Sequence, residues 1–158
     1  MNLRLRLATL DDAPLVLETM QQAFAEYRGA LRVPSSAHAE TLADVQAALS
    51  DHGSGAVLAF VGDTAVGSAR FRPQDTDADL YVGRVSVLPA YRRRGVASAL
   101  MRFLMDLTAE RGRQAIVINV RHSLPSNVGL YQALGFEVVS IDPHPRGDDR
   151  VWTMRKRV

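Results

Sequence analysis

Apolar positions recur along the chain with two periods, and the switches between them lay out the elements. Leu3, Leu5 and Leu7 alternate with Asn2, Arg4 and Arg6, the period of a half-buried strand. Thr9, Asp11 and Asp12 then offer capping oxygens, Pro14 suits a first helical turn, and Val16, Met20, Ala23, Phe24 and Tyr27 fall at helical spacing. The pattern predicts a first helix ending near Gly29 and a loop over Leu31 to Ser36. Leu42, Val45 and Leu49 share one face of a second helix, with Gly53 and Gly55 beyond its end.

Two apolar runs, Ala56 to Val61 and Ala65 to Phe71, meet around Gly62-Asp63, a tight-hairpin signal. A polar turn over Pro73 to Asp79 leads to a strand over Leu80 to Leu88, so the middle of the chain reads as an antiparallel meander. The period returns to helical from about Val96 to Arg111, with Val96, Ala97, Leu100, Met101, Leu104 and Leu107 on the core face and Gly112 as the stop. Ala115 to Val120 follows that helix as a strand, most simply parallel to the one ending at Leu88. Pro125 and Ser126 open a last helix that Gly135 ends, and Phe136 to Ile141 and Val151 to Met154 supply the last strands. The expected fold class is α/β (α+β), a mixed, mostly antiparallel sheet with helices on both faces. The expected organisation is one domain over residues 1–158, with no linker, repeat or low-complexity tract.

Composition narrows the chemistry. A chain of this length buries roughly two thirds of its unfolded surface without staples, and it contains no Cys, which excludes thiolate zinc, a catalytic thiol and a disulfide framework. His38, His52, His122 and His144 lack metal-site spacing, so no metal is expected. No apolar run approaches a membrane span, and the alternating start lacks the apolar core of a signal peptide. A cytoplasmic protein without membrane contact is expected. The formal net charge is only +2, and its basic residues are spread along the chain without interleaved aromatics, which argues against nucleic acid.

One segment departs from simple core patterning. Val85-Ser86-Val87-Leu88 ends in Pro89, passes through Tyr91-Arg92-Arg93-Arg94-Gly95, and runs straight into the helix that starts with Val96 and Ala97. A helix start has backbone N–H groups without partners and a partial positive charge, so this order of elements builds an anion site. Gly95 permits a positive φ or a close approach there. A second segment, Asn127-Val128-Gly129-Leu130-Tyr131-Gln132-Ala133-Leu134-Gly135-Phe136, lies about one strand further on. By spacing alone Leu130, Tyr131 and Leu134 are core, and Asn127 is a helix cap.

Arg92 to Ala97 fits the Gln/Arg-x-x-Gly-x-Gly/Ala motif of the GNAT superfamily, the acyl-coenzyme A-dependent N-acyltransferases, and the order of elements resembles that family across nearly the whole chain. The resemblance implies a splayed pair of parallel strands whose gap takes acetyl-coenzyme A as acyl donor. It places the backbone of Val85 and Val87 against the thioester and pantetheine arm. It assigns the pyrophosphate to the backbone N–H groups of Arg92, Arg93, Arg94, Gly95, Val96 and Ala97, with Ser98 as a hydroxyl donor. Without it, the arginines are solvated side chains on a turn, and Val85 and Val87 are sheet core. It places Asn127 near the cofactor and makes Tyr131 the acid that protonates the leaving thiolate.

The general base is missing from this pattern. Gly83 to Val87 carries no carboxylate, and Asp79 lies too early; water, a backbone carbonyl, Tyr81 or His122 are the alternatives. The resemblance implies an N-acetyltransferase in which a primary amine, of a small molecule or a protein N-terminus, attacks directly. The rival reading is a non-catalytic acyl-coenzyme A sensor. A homodimer is compatible with the sequence.

Overall fold

The computed structural model describes residues 1–27, 36–74 and 78–158. Seven strands form one sheet: β1 (Leu3–Leu7), β2 (Gly55–Val61), β3 (Thr64–Pro73), β4 (Asp79–Val87), β5 (Ala115–Arg121), β6 (Glu137–Pro143) and β7 (Arg150–Arg157). Their spatial order is β1-β2-β3-β4-β5-β7-β6. Every neighbouring pair is antiparallel except β4 and β5. Four α-helices occur among the described residues: α1 (Ala13–Phe24), α2 (Leu42–Ser50), α3 (Val96–Glu110) and α4 (Pro125–Ala133).

The expected mixed sheet, its hairpin at Gly62-Asp63 and the crossover through α3 are all present. Helix α1 gives way to a 3-10 segment at Ala25–Tyr27. The expected end near Gly29, most of the following loop, and positions 75–77 of the polar turn lie outside the described residues. Thr9 and Asp12 cap a 3-10 turn, Leu10–Asp12, ahead of α1, where the Thr9 amide donates to Asp12 Oδ2 at 2.7 Å; Asp11 lies within that turn.

Strand β2 explains why the sheet is covered on both sides. Val57 and Ala59 belong to the core beneath α3, with Leu100, Met101, Leu104 and Ile116. Ala56, Leu58 and Phe60 alternate with them and face the other way, packing with Ala13 and Val16 of α1 and Val45 of α2. A continuous apolar run is what a strand buried on two faces requires. Helices α1 and α3 both contact β4, so the strand leading to the basic turn is held from each side.

Candidate active site

β4 and β5 begin as partners and then part. Their parallel ladder covers only Asp79–Val82 against Ala115–Ile118, although β4 continues to Val87 and β5 to Arg121. The separation coincides with a β-bulge. Ser68 faces Ser86 and Arg70 faces Gly83, so Arg84 and Val85 together oppose Ala69, and Arg84 takes a φ of 51°. A bulge bends its strand and ends regular pairing. The resulting gap of about 190 Å³ is lined by Phe24, Tyr81, Gly83, Asn119, Asn127 and Tyr131, among others.

On one side the gap meets a cleft of about 550 Å³ that runs past Val85, Ser86 and Val87 to the start of α3. Arg93 and Gly95 adopt positive φ values of 60° and 82°, giving the turn the left-handed steps of an anion-binding nest. The first helical bond runs from the Ala99 amide to Gly95 O at 3.0 Å. The amides of Val96, Ala97 and Ser98 precede that bond, and all three residues line the cleft. A Cβ on Gly95 would meet nothing within 4 Å, so glycine is required there by backbone conformation rather than by crowding.

The three arginines of the turn have different surroundings. Arg92 Nε donates to Val87 O at 3.2 Å, Nη2 donates to Ala23 O at 2.9 Å, and Nη1 pairs with Glu26. Its guanidinium therefore fastens the turn to the ends of β4 and α1. Arg93 lines the cleft beside it. Arg94 sits over the Tyr91 ring, 5.7 Å from the centroid, and is not among the cleft's lining residues. The side chains of Val85 and Val87 pack against the core.

Tyr131 is buried at the junction of the two spaces. It is 7 % exposed, meets the Phe136 ring edge-on at 5.7 Å, and lines both gap and cleft. Burial, with a smaller contribution from Tyr81, pushes its phenol above the ordinary value, so it stays protonated through the neutral range. Asn127 also lines both spaces. Because α4 starts at Pro125 with Leu124 as its N-cap, Asn127 is the third helical residue, which removes the capping alternative.

Of the residues considered as a base, Asp79 is buried and accepts from Arg155 Nε at 2.8 Å and Nη2 at 3.1 Å. His122 stacks on Trp152 at 5.7 Å and does not line the gap. Tyr81 does line it, with the Arg72 guanidinium 4.5 Å from its ring centroid. No group of three or more His, Asp or Glu that could hold a metal occurs among the described residues.

Two residues absent from the sequence-based candidates stand beside the gap. Arg84 lines it and also lines a second pocket, of about 470 Å³, on the side away from the cleft. Its Nη2 donates to Ser36 Oγ at 3.1 Å. Glu40 reaches that pocket from the segment before α2 and accepts from Arg70 Nη1 at 2.9 Å, while Arg70 Nη2 engages its other oxygen. Burial pushes the Arg84 guanidinium below its ordinary value; Glu40 opposes that shift and Arg70 adds to it. The contact between Glu40 and Arg70 spans 30 residues, and no local pattern announces it.

The sequence and the fold match those of known proteins. The chain is 34% identical over 68 residues to the ribosomal protein bS18-alanine N-acetyltransferase of Escherichia coli K12, covering 42% of this chain and 46% of that protein. It thus spans about half the length of the curated relative it matches. The fold matches that of yncA from Salmonella typhimurium with its cofactor acetyl-CoA, with a TM-score of 0.80 at 16% identity over 98% of this chain and 93% of that one. It also matches PaiA N-acetyltransferase from Thermoplasma acidophilum in complex with coenzyme A, with a TM-score of 0.81 at 13% identity over the whole of both chains. The model of the acetyltransferase (GNAT) family matches residues 17–136, a span that holds the splayed strands, the basic turn and Tyr131, and the chain belongs to that family.

Proposed function

We propose that the chain is a single N-acetyltransferase domain over residues 1–158 that moves an acetyl group from acetyl-CoA to a primary amine, without a metal. The observation that carries the reading is the continuity of the β4–β5 gap with the amide-lined start of α3, with Tyr131 at their junction. The cleft's residues fit the donor. Amides of Gly95, Val96 and Ala97, with the Ser98 hydroxyl, receive the pyrophosphate, and the cationic Arg92, Arg93 and Arg94 raise the local positive potential. The backbone at Val85 and Val87 lines the arm's path. Asn127 supplies an amide side chain beside it.

Acetyl-CoA supplies a thioester, at whose carbonyl carbon the new C–N bond forms as the C–S bond breaks. Tyr131 donates its phenolic proton to the departing sulfur and regains one as the newly acylated nitrogen gives up its surplus proton, a role suited to a buried hydroxyl that remains protonated. An attacking ammonium has to lose a proton first, and the described residues lining the gap include no carboxylate, so that proton passes to water there. The same lack of a carboxylate favours one second reading, an acyl-CoA sensor. Heating the protein with acetyl-CoA and with ATP tests the cleft: acetyl-CoA should raise the melting temperature far more. Equal stabilisation by both, or none by either, refutes it. Amine-dependent thiol release then separates enzyme from sensor.

The remaining parts of the proposal concern setting. No helix among the described residues is long and apolar enough to cross a membrane. We place the enzyme in the cytoplasm, with a small-molecule or peptide amine as its acceptor rather than nucleic acid or membrane. Val138, Val139 and Ile141 are exposed on the edge strand β6, which supports a homodimer; a sedimentation measurement reads its mass.

A further inference from the structure

Among the described residues, the pocket behind the gap carries an unbalanced charge. Its lining includes three arginines, Arg70, Arg72 and Arg84, against two carboxylates, Glu40 and Asp51. Arg70 grips Glu40 with both arms. Arg72 lies over Tyr81. Arg84 has its Nε 3.8 Å from Glu40 Oε2, an oxygen that Arg70 already holds at 2.9 Å. A guanidinium removed from much of its water is favoured by an anion that accepts its paired N–H groups, and a carboxylate matches that fork.

Position makes this charge relevant to chemistry. Arg84 is the bulge residue that ends the β4–β5 ladder, and with Tyr81 and Gly83 it belongs to the walls of both the gap and the pocket. An acceptor entering from the pocket passes Arg84 before its amine reaches the gap.

We propose that Arg84 binds a carboxylate of the acceptor, so that the acylated amine belongs to an amino acid rather than to a simple alkylamine or an amide. The inference rests on the acetyl-transfer reading. An amino acid would place its carboxylate on the Arg84 guanidinium and its amine towards Gly83 and Tyr81, with Glu40 holding Arg70 in place behind.

Thiol release from acetyl-CoA is measured with the standard L-amino acids, each beside its own α-amide. The amide's amine is less basic and more of it is free at neutral pH, so intrinsic reactivity favours the amide. At least one amino acid should nevertheless show a kcat/KM ten or more times that of its amide. Arg84→Gln should reduce that ratio to under twofold by raising the acceptor KM, with the acetyl-CoA KM unchanged, and Arg84→Lys should restore part of it. Because Arg84 stands at positive φ, Arg84→Gly repeats the charge removal in a residue suited to that conformation, with melting curves to check each fold. Amides equal to or better than their acids, a preference that survives in Arg84→Gln and Arg84→Gly, or no acetylated amino acid would each overturn the inference. Acetylation of amides alone would overturn it and leave the acetyl-transfer reading standing. A failure of that reading would instead be seen as no thiol release with any amine and no stabilisation by acetyl-CoA.

Discussion

Replacing Gly95 with Ala separates backbone strain from contact with the donor. At a φ of 82°, a Cβ carries the left-handed penalty of about 1–2 kcal/mol, and nothing lies within 4 Å to add a clash. For a chain of this size that corresponds to a fall of roughly 2–8 °C in melting temperature. Gly112, just beyond the other end of α3, provides the control: its φ is 72° and its surroundings are equally open. The two variants should lose similar stability. They should differ in binding, because Gly95 lines the cleft and Gly112 does not. A methyl group at Gly95 would hold the pyrophosphate off the amides of the nest, and losing one such charge-assisted hydrogen bond costs about 1.5–3 kcal/mol. Titration calorimetry should therefore show acetyl-CoA affinity at least tenfold weaker for Gly95→Ala, about 1.4 kcal/mol or more, and unchanged for Gly112→Ala. Parental affinity in Gly95→Ala, or an equal loss in Gly112→Ala, would refute the reasoning.

Two other perturbations follow from ion pairs. Arg92→Met removes donors to Val87 O and Ala23 O and the pair with Glu26, and because that side chain is one third exposed the expected cost is about 1–2 kcal/mol by denaturant unfolding, with weaker acetyl-CoA binding. Asp12, bonded first by Arg6 and also by Thr9, has its carboxyl lowered to about 2, so its stabilisation is full above the ordinary carboxylate range and is lost as pH falls towards 2. Asp12→Asn should cost about 0.5–1 kcal/mol at neutral pH, and its difference from the parent should vanish near pH 2 in acid titrations followed by circular dichroism.

The parts of the fold that rest on local periodicity were legible in the sequence. The strand pattern from Leu3 to Leu7, the apolar face of α3 and the hairpin at Gly62-Asp63 each depend on neighbours a few positions apart, and all are present. The amide nest was legible for the same reason, since strand, turn, Gly95 and helix are consecutive. What could not be read depends on long-range register. The bulge at Arg84 arises because β3 and β4 slip by one residue, and it is carried by an arginine rather than by the glycine beside it. The fastening of the turn by the Arg92 guanidinium depends on partners, Ala23 and Glu26, that lie nearly half the chain away. Spacing puts Tyr131 in the core, where it is buried, but its place at the edge of a cleft depends on how α4 packs beside β4 and β5, which spacing does not carry.

The proposed reaction is acetyl transfer in this cleft with Tyr131 as the proton donor. Its most direct test is the acceptor-dependent rate of thiol release from acetyl-CoA, compared between the parent and Tyr131→Phe. Phe keeps the ring against Phe136 and removes only the hydroxyl. The account predicts a kcat lower by about 10² to 10⁴, with acetyl-CoA affinity and melting temperature close to the parent's. A variant as active as the parent across the pH range would contradict it.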